Sequence, residues 1–150
     1  MMDHVVGGVE VDVVRIDPDL PLPEYALPGD AGLDLVAREV VTIAAGEWAM
    51  VATGIAIELA EGWAGFVLPR SGLAARHGIT CLNTPGLIDS GYRDEVRVVL
   101  VNHSRSDYTV NRGDRVAQLV VLPVPRIQWR VVDALSASER GRGGFGHSGY

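Results

Sequence analysis

Lysine is absent from this chain: all 13 basic residues are arginine. That removes two chemistries, because a Walker A phosphate loop and Schiff-base catalysis both depend on a lysine amine. An excess of positive charge is missing too. Asp and Glu number 19, the formal charge is −6, and no general grip on nucleic acid follows from such a balance. Any polyanion this chain binds must meet arginines gathered locally or a metal ion. Cysteine occurs once, at Cys81, so neither an intramolecular disulfide nor a cysteine-rich metal site can form. A reducing compartment and a small, buried, apolar role for Cys81 are the expectation. No apolar run approaches the roughly 18 residues of a membrane span. The opening MMDHVVGGVE has no basic region followed by an apolar stretch, so the chain is expected to be cytoplasmic, without membrane contact.

What is present points to strands. At 150 residues and 47% hydrophobic content, the chain is expected to form one domain, 1–150. Val9, Val11 and Val13 alternate with Glu10 and Asp12, predicting a half-buried strand. Further strands are expected over Val40–Ile43, Met50–Leu59, Gly65–Leu68, Val96–Val101, Val116–Leu122 and Ile127–Val132, with Gly, Pro, Asn or Asp at the turns between them. Only Leu73–Arg76 and Ala134–Glu139 have room for a helical turn, which excludes alternating βαβ units and leaves an all-β sandwich or jelly roll. The tail 139–150 changes character: Arg140–Tyr150 holds five glycines and predicts a flexible arm.

Five polar segments interrupt the apolar strands. In Pro69-Arg70-Ser71-Gly72-Leu73-Ala74, backbone N–H groups opening a helical turn join Arg70 and Ser71 as anion donors. A Ser N-cap with a solvated arginine is the ordinary alternative. In Asn83-Thr84-Pro85-Gly86-Leu87-Ile88-Asp89-Ser90-Gly91-Tyr92-Arg93, a hairpin can present backbone groups to a flat base while Tyr92 packs on a sugar. Asp89, beside Leu87 and Ile88, suits a general base in a partly apolar setting, or is a structural turn residue. Gln118, in Gly113-Asp114-Arg115-Val116-Ala117-Gln118-Leu119, needs a ligand or a neighbouring backbone group as partner. The tail Arg140-Gly141-Arg142-Gly143-Gly144-Phe145-Gly146-His147-Ser148 offers close backbone approach to phosphate and a stacking face, or is a disordered end. Asp34, between Leu33 and Leu35, requires a partner if buried.

In this order, AGLDL, PRSGLA, GLIDSGYR, GDRVAQL and RGRGGFG closely resemble the five signature motifs of the trimeric dUTPase family. The resemblance implies a distorted jelly-roll homotrimer with three active sites, each shared among subunits. It implies hydrolysis of dUTP to dUMP and pyrophosphate with Mg²⁺, limiting uracil in DNA and supplying dUMP for dTMP synthesis. By motif, Asp89 would activate the water that attacks the α-phosphorus, and Tyr92 would pack on the deoxyribose and exclude a 2′-hydroxyl. Asn83 and the hairpin backbone around Gly86 and Ile88 would read uracil. Arg70, Ser71, Gly72 and Gln118 would contact the phosphates. Asp34 would help hold hydrated Mg²⁺ through water. Arg140, Phe145, Gly146 and Ser148 of the arm would close over the substrate.

Two positions depart from the family pattern. His147 stands where a small hydroxyl residue is usual, and Asp94 where glycine is common; an ordinary β conformation or an ion pair is expected at Asp94. The dCTP deaminases share the implied fold, but Glu95 lacks the context of their glutamate base. A non-catalytic trimeric β module is the other alternative. His4, His77 and His103 show no ligand spacing and are expected at the surface or in turns.

Overall fold

The computed structural model describes residues 7–145. Stretches of alternating apolar and polar residues become strands wherever the chain itself offers a pairing partner. Eleven strands and one helix occur among the described residues: β1 (Asp12–Arg15), β2 (Leu33–Val36), β3 (Val41–Ile43), β4 (Trp48–Ala52), β5 (Ile55–Glu58), β6 (Trp63–Leu68), α1 (Ser71–His77), β7 (Ile79–Cys81), β8 (Gly86–Ile88), β9 (Arg97–Asn102), β10 (Tyr108–Val110) and β11 (Arg115–Pro123). All pairings are antiparallel, as an all-β chain with short connections requires.

A four-stranded sheet in the order β2-β11-β6-β8 and a three-stranded sheet β4-β9-β7 share one aliphatic core, with the ribbons β1-β5 and β10-β3 beside them. Leu35, Val67, Ala117 and Leu119 enter that core from the first sheet, and Val51, Val98, Leu100, Ile79 and Cys81 from the second. Cys81 is buried as expected, and burial pushes its thiol up to about 11. Register then assigns faces. Asp34, Gln118 and Leu68 stand in one row across β2, β11 and β6, while Leu33, Leu119, Val67 and Gly86 form the adjacent row on the opposite face.

Three of the expected strands differ. The stretch Met50–Leu59 is two strands, because Gly54 turns at φ 78 between them. The alternation at Val9–Val13 yields only β1, shifted to Asp12–Arg15 and exposed throughout, because among the described residues it pairs with β5 alone and no layer covers it. Ile127–Val132 forms no strand: its period-two pattern is intact, but the described residues provide it with no ladder. Ala134–Glu139 forms no helix, since so short a segment without a packed face cannot offset the cost of nucleation. The turn at Leu73–Arg76 does appear, within α1. His77 and His103 are exposed, and His4 lies outside the described residues.

Candidate functional site: two half-clefts on one chain

The loop joining β7 to β8 carries a cis Thr84–Pro85 bond; it is not the expected hairpin, because β7 pairs with β9 in one sheet while β8 pairs with β6 in the other, where Gly86 faces Val67. A side chain at Gly86 would crowd Val67 Cβ at 3.3 Å and Asn83 Nδ2 at 3.4 Å, so glycine is what lets this strand approach. The result is a cleft of about 270 Å³ lined by Asn83, Gly86, Ile88 and Tyr92, with Met50 of β4 and Arg97 of β9. Ile88 is buried and Tyr92 is 38% exposed, its hydroxyl donating to the Glu95 carbonyl at 2.9 Å. Asp89 follows β8 at the rim. Its carbonyl accepts the Tyr92 N–H at 3.1 Å, and its carboxylate has no hydrogen-bond or ion-pair partner among the described residues. The apolar setting expected for Asp89 is not supplied by its own chain: Ile88 turns inward, Leu87 is 61% exposed, and Asp89 stands in solvent.

A second cleft of about 280 Å³ gathers Asp34, Arg70, Ser71, Gly72, Arg115 and Gln118. β2 and β11 bring Asp34 beside Gln118, and α1 begins directly after Arg70. Arg70 Nε lies 3.1 Å from Asp34 Oδ1, and Arg115 Nη1 lies 3.3 Å from Asp34 Oδ2. One carboxylate therefore holds two guanidinium groups at the cleft. Gln118 donates to the Pro69 carbonyl at 3.2 Å, so its partner is backbone. Ser71 is the first helical residue; Arg70 is the N-cap, with no side-chain cap bond. The early N–H groups of α1 thus remain open where Ser71 and Gly72 line the cleft.

The two clefts have no lining residue in common. Gln118 and Asp34 belong to one face of the four-stranded sheet and Gly86 to the other. One chain therefore brings Asn83, Gly86, Ile88, Tyr92 and Asp89 together in one place and Asp34, Arg70, Ser71, Gly72 and Gln118 in another. Among the described residues the arm joins neither. Arg140 Nε donates to the Gly143 carbonyl at 2.8 Å, and Phe145, at φ 50, is fully exposed. Gly146, His147 and Ser148 lie outside the described residues. Asp94 avoids the left-handed region and accepts the Glu95 N–H at 2.7 Å. Sequence reasoning assigned no role to Arg115 or Arg97. Arg115 lay within a recognised motif, and Arg97 was visible as the lone charge opening an apolar strand.

A dUTPase family model matches residues 19–149. The deoxyuridine 5′-triphosphate nucleotidohydrolase of Thermobifida fusca (strain YX) is 56% identical over 149 residues, covering 99% of this chain and 83% of that protein. The enzyme of the same name from Gloeobacter violaceus is 56% identical over 144 residues, covering 95% and 98%. Among solved structures, the Staphylococcus bacteriophage 80alpha dUTPase with dUPNHPP superposes with a TM-score of 0.86 at 26% identity, covering 94% of this chain and 99% of that one. With five motifs in order, an all-β fold of the jelly-roll type and this extent of identity, the chain belongs to the dUTPase family.

Proposed function

We propose that this chain hydrolyses dUTP to dUMP and pyrophosphate at sites completed by neighbouring copies of itself. The observation that carries the reading is the division just described: a cleft beside β8 shaped for a nucleoside and a separate arginine cleft shaped for phosphates, each incomplete alone. Asp89 takes a proton from a water whose oxygen bonds to the α-phosphorus. The bond from that phosphorus to the bridging oxygen breaks, and pyrophosphate leaves. Asn83 and the backbone at Gly86 and Ile88 hold uracil, and Tyr92 packs on the deoxyribose. Arg70, Ser71, Gly72 and Gln118 neutralise and orient the phosphates. The arm, 139–150, closes the site, with Arg140 on the γ-phosphate, Phe145 on the base, and Gly146 and Ser148 along the phosphates.

The residues present suit a Mg²⁺ carried in by the triphosphate. Among the described residues no three His, Cys, Asp or Glu gather into a metal cage, and Asp34, already paired with two arginines, is placed to reach a hydrated ion through water. Bound Mg²⁺ neutralises phosphate oxygens that an acidic protein repels. Homotrimer formation is supported by Ile127, Trp129 and Val131, which alternate along an extended segment while 72%, 86% and 96% exposed; such a row calls for a partner surface. No helix of the described residues is long and apolar enough to cross a membrane. We place the enzyme in the cytoplasm as a single domain, 1–150, limiting uracil in DNA and supplying dUMP for dTMP synthesis.

The test is pyrophosphate release from dUTP by Asp89→Asn, which should retain dUTP binding and lose turnover by orders of magnitude. Unchanged turnover removes Asp89 from the mechanism. Mixing Asp89→Asn chains with Arg70→Ala chains, each inactive alone, should restore part of the activity if the clefts of different copies combine. No recovery after subunit exchange refutes shared sites.

A further inference from the structure

Glu95 takes no part in the chemistry above, yet it is the one charged residue buried among the described residues. Its carboxylate Oε1 accepts the Gly54 N–H at 2.8 Å, and Arg38 Nη1 lies 3.4 Å from both carboxylate oxygens. Behind Arg38 stands a second layer. Asp17 Oδ2 is 3.7 Å from Arg38 Nε, Arg112 donates to both Asp17 oxygens, and Arg112 Nη1 donates to the Arg38 carbonyl at 2.7 Å. Gly54, at φ 78, has its carbonyl bound by the N–H groups of Ile16 and Asp17 at 2.8 and 3.1 Å. A side chain there would meet Asp17 Cβ at 3.0 Å. The carboxylate is therefore locked into a turn that is itself fixed.

The main chain of Glu95 reaches Tyr92, which lines the cleft beside β8. Its carbonyl accepts the Tyr92 hydroxyl at 2.9 Å. The next residue is pinned in both directions, Val96 N–H donating to the Ile55 carbonyl at 2.8 Å and Thr53 Oγ1 to the Val96 carbonyl at 2.6 Å. Tyr92 sits on the loop 89–95, which leaves β8 and rejoins the body at Glu95. Its ring is thus tethered at its Cα and at its oxygen, and both tethers lead back to Glu95.

We propose that Glu95 is a positioning residue that sets discrimination between 2′-deoxyribose and ribose nucleotides, by fixing the carbonyl that holds the Tyr92 ring against the sugar. This rests on the reading of Tyr92 as the surface that packs on deoxyribose. A ring held at both ends keeps the cleft wall where a 2′-hydroxyl collides with it. A ring freed at its oxygen swings and admits the larger sugar. Discrimination by such a wall depends on its rigidity more than on its attraction for the right substrate.

The experiment compares kcat/KM for dUTP and UTP in the full-length protein and its variants, with melting temperature recorded for each. Tyr92→Phe, which deletes only the hydroxyl tether, should lower the dUTP-to-UTP ratio about three- to tenfold, the value of one neutral hydrogen bond. Glu95→Ala should lower it at least as far. Glu95→Gln keeps an acceptor for the Gly54 N–H and should recover much of the ratio. Asn102→Ala, at a buried residue that lines neither cleft, should lose stability and keep the wild-type ratio. An unchanged ratio in Glu95→Ala, or an equal fall in Asn102→Ala, overturns the proposal. Should Glu95→Ala fail to fold, an unchanged ratio in Tyr92→Phe overturns it instead. A wild-type chain that ignores dUTP, or accepts UTP equally, fails the functional reading itself, which separates the two failures.

Discussion

Asn102 ties more of this fold together than any other polar side chain, and its removal has a calculable cost. At the end of β9 it is fully buried. Its Nδ2 donates to the carbonyls of Ile43 at 3.0 Å and Ser106 at 2.8 Å, and its Oδ1 accepts Ser104 N–H at 2.9 Å and Ser104 Oγ at 2.7 Å. One side chain thereby fastens β3, β9 and the loop that leads into β10. Asn102→Ala deletes all four bonds, each worth about 0.5–1.5 kcal/mol net. Ser104 and Ser106 lie close enough to solvent to be rehydrated, and Ile43, itself 1% exposed, keeps its place opposite Tyr108 in the β3–β10 ladder. The sum is about 2–6 kcal/mol, a large share of a domain's roughly 5–15 kcal/mol. For a chain of this length that corresponds to a fall in melting temperature of roughly 6–18 °C. The assay is thermal unfolding by circular dichroism, at fixed protein concentration because association shifts the midpoint. Asn102→Asp should be worse still, since a carboxylate cannot donate to either carbonyl. A loss below about 1 kcal/mol for Asn102→Ala would refute this account of what secures the loop.

Three further outcomes are expected. The hydrogen bond from Arg112, chief among several causes, holds the Asp17 carboxyl below its ordinary value of 3.8. Its contribution is therefore present above that value and lost as pH falls through the lowered one. The stability gap between the wild type and Asp17→Asn should be visible at pH 6 and close in acid; a gap that persists at pH 2 contradicts the pairing. Cys81, buried and with its thiol raised to about 11, should be inert to a disulfide reagent at pH 8 until denaturant is added, and prompt labelling of the native protein would contradict its burial. Trp129→Ser should weaken self-association by sedimentation analysis without changing the secondary structure, and an unaltered association state would show that the exposed row at Ile127–Val131 is not the contact.

The strands most readable in the sequence are those whose partners lie within the chain. Val116–Leu122 and Gly65–Leu68 stand out as apolar runs, and they pair with each other through the centre of the four-stranded sheet as β11 and β6. Short strands such as β2, β7 and β10 do not stand out from loops, since a polar residue interrupts each within three or four residues and leaves no apolar run. Ile127–Val132 was marked and is no strand here, because periodicity reports a surface that wants covering and not the presence of the cover. The site shows the same division. The motifs identified the residue types at both clefts, yet Gln118 gave no sign that its partner would be the Pro69 carbonyl, nor Asp34 that it would hold two arginines.

Residue order sufficed for the class of fold, the absence of lysine chemistry and the family, because alternation and ordered motifs are local properties carried by the chain itself. The separation of the motifs into two clefts on opposite sheet faces, and the burial of Glu95 behind Tyr92, emerged only on folding. Both depend on strand register and on contacts between residues as far apart as Asp17 and Arg112, and a one-residue shift in pairing would turn Gln118 and Asp34 inward and leave no arginine cleft.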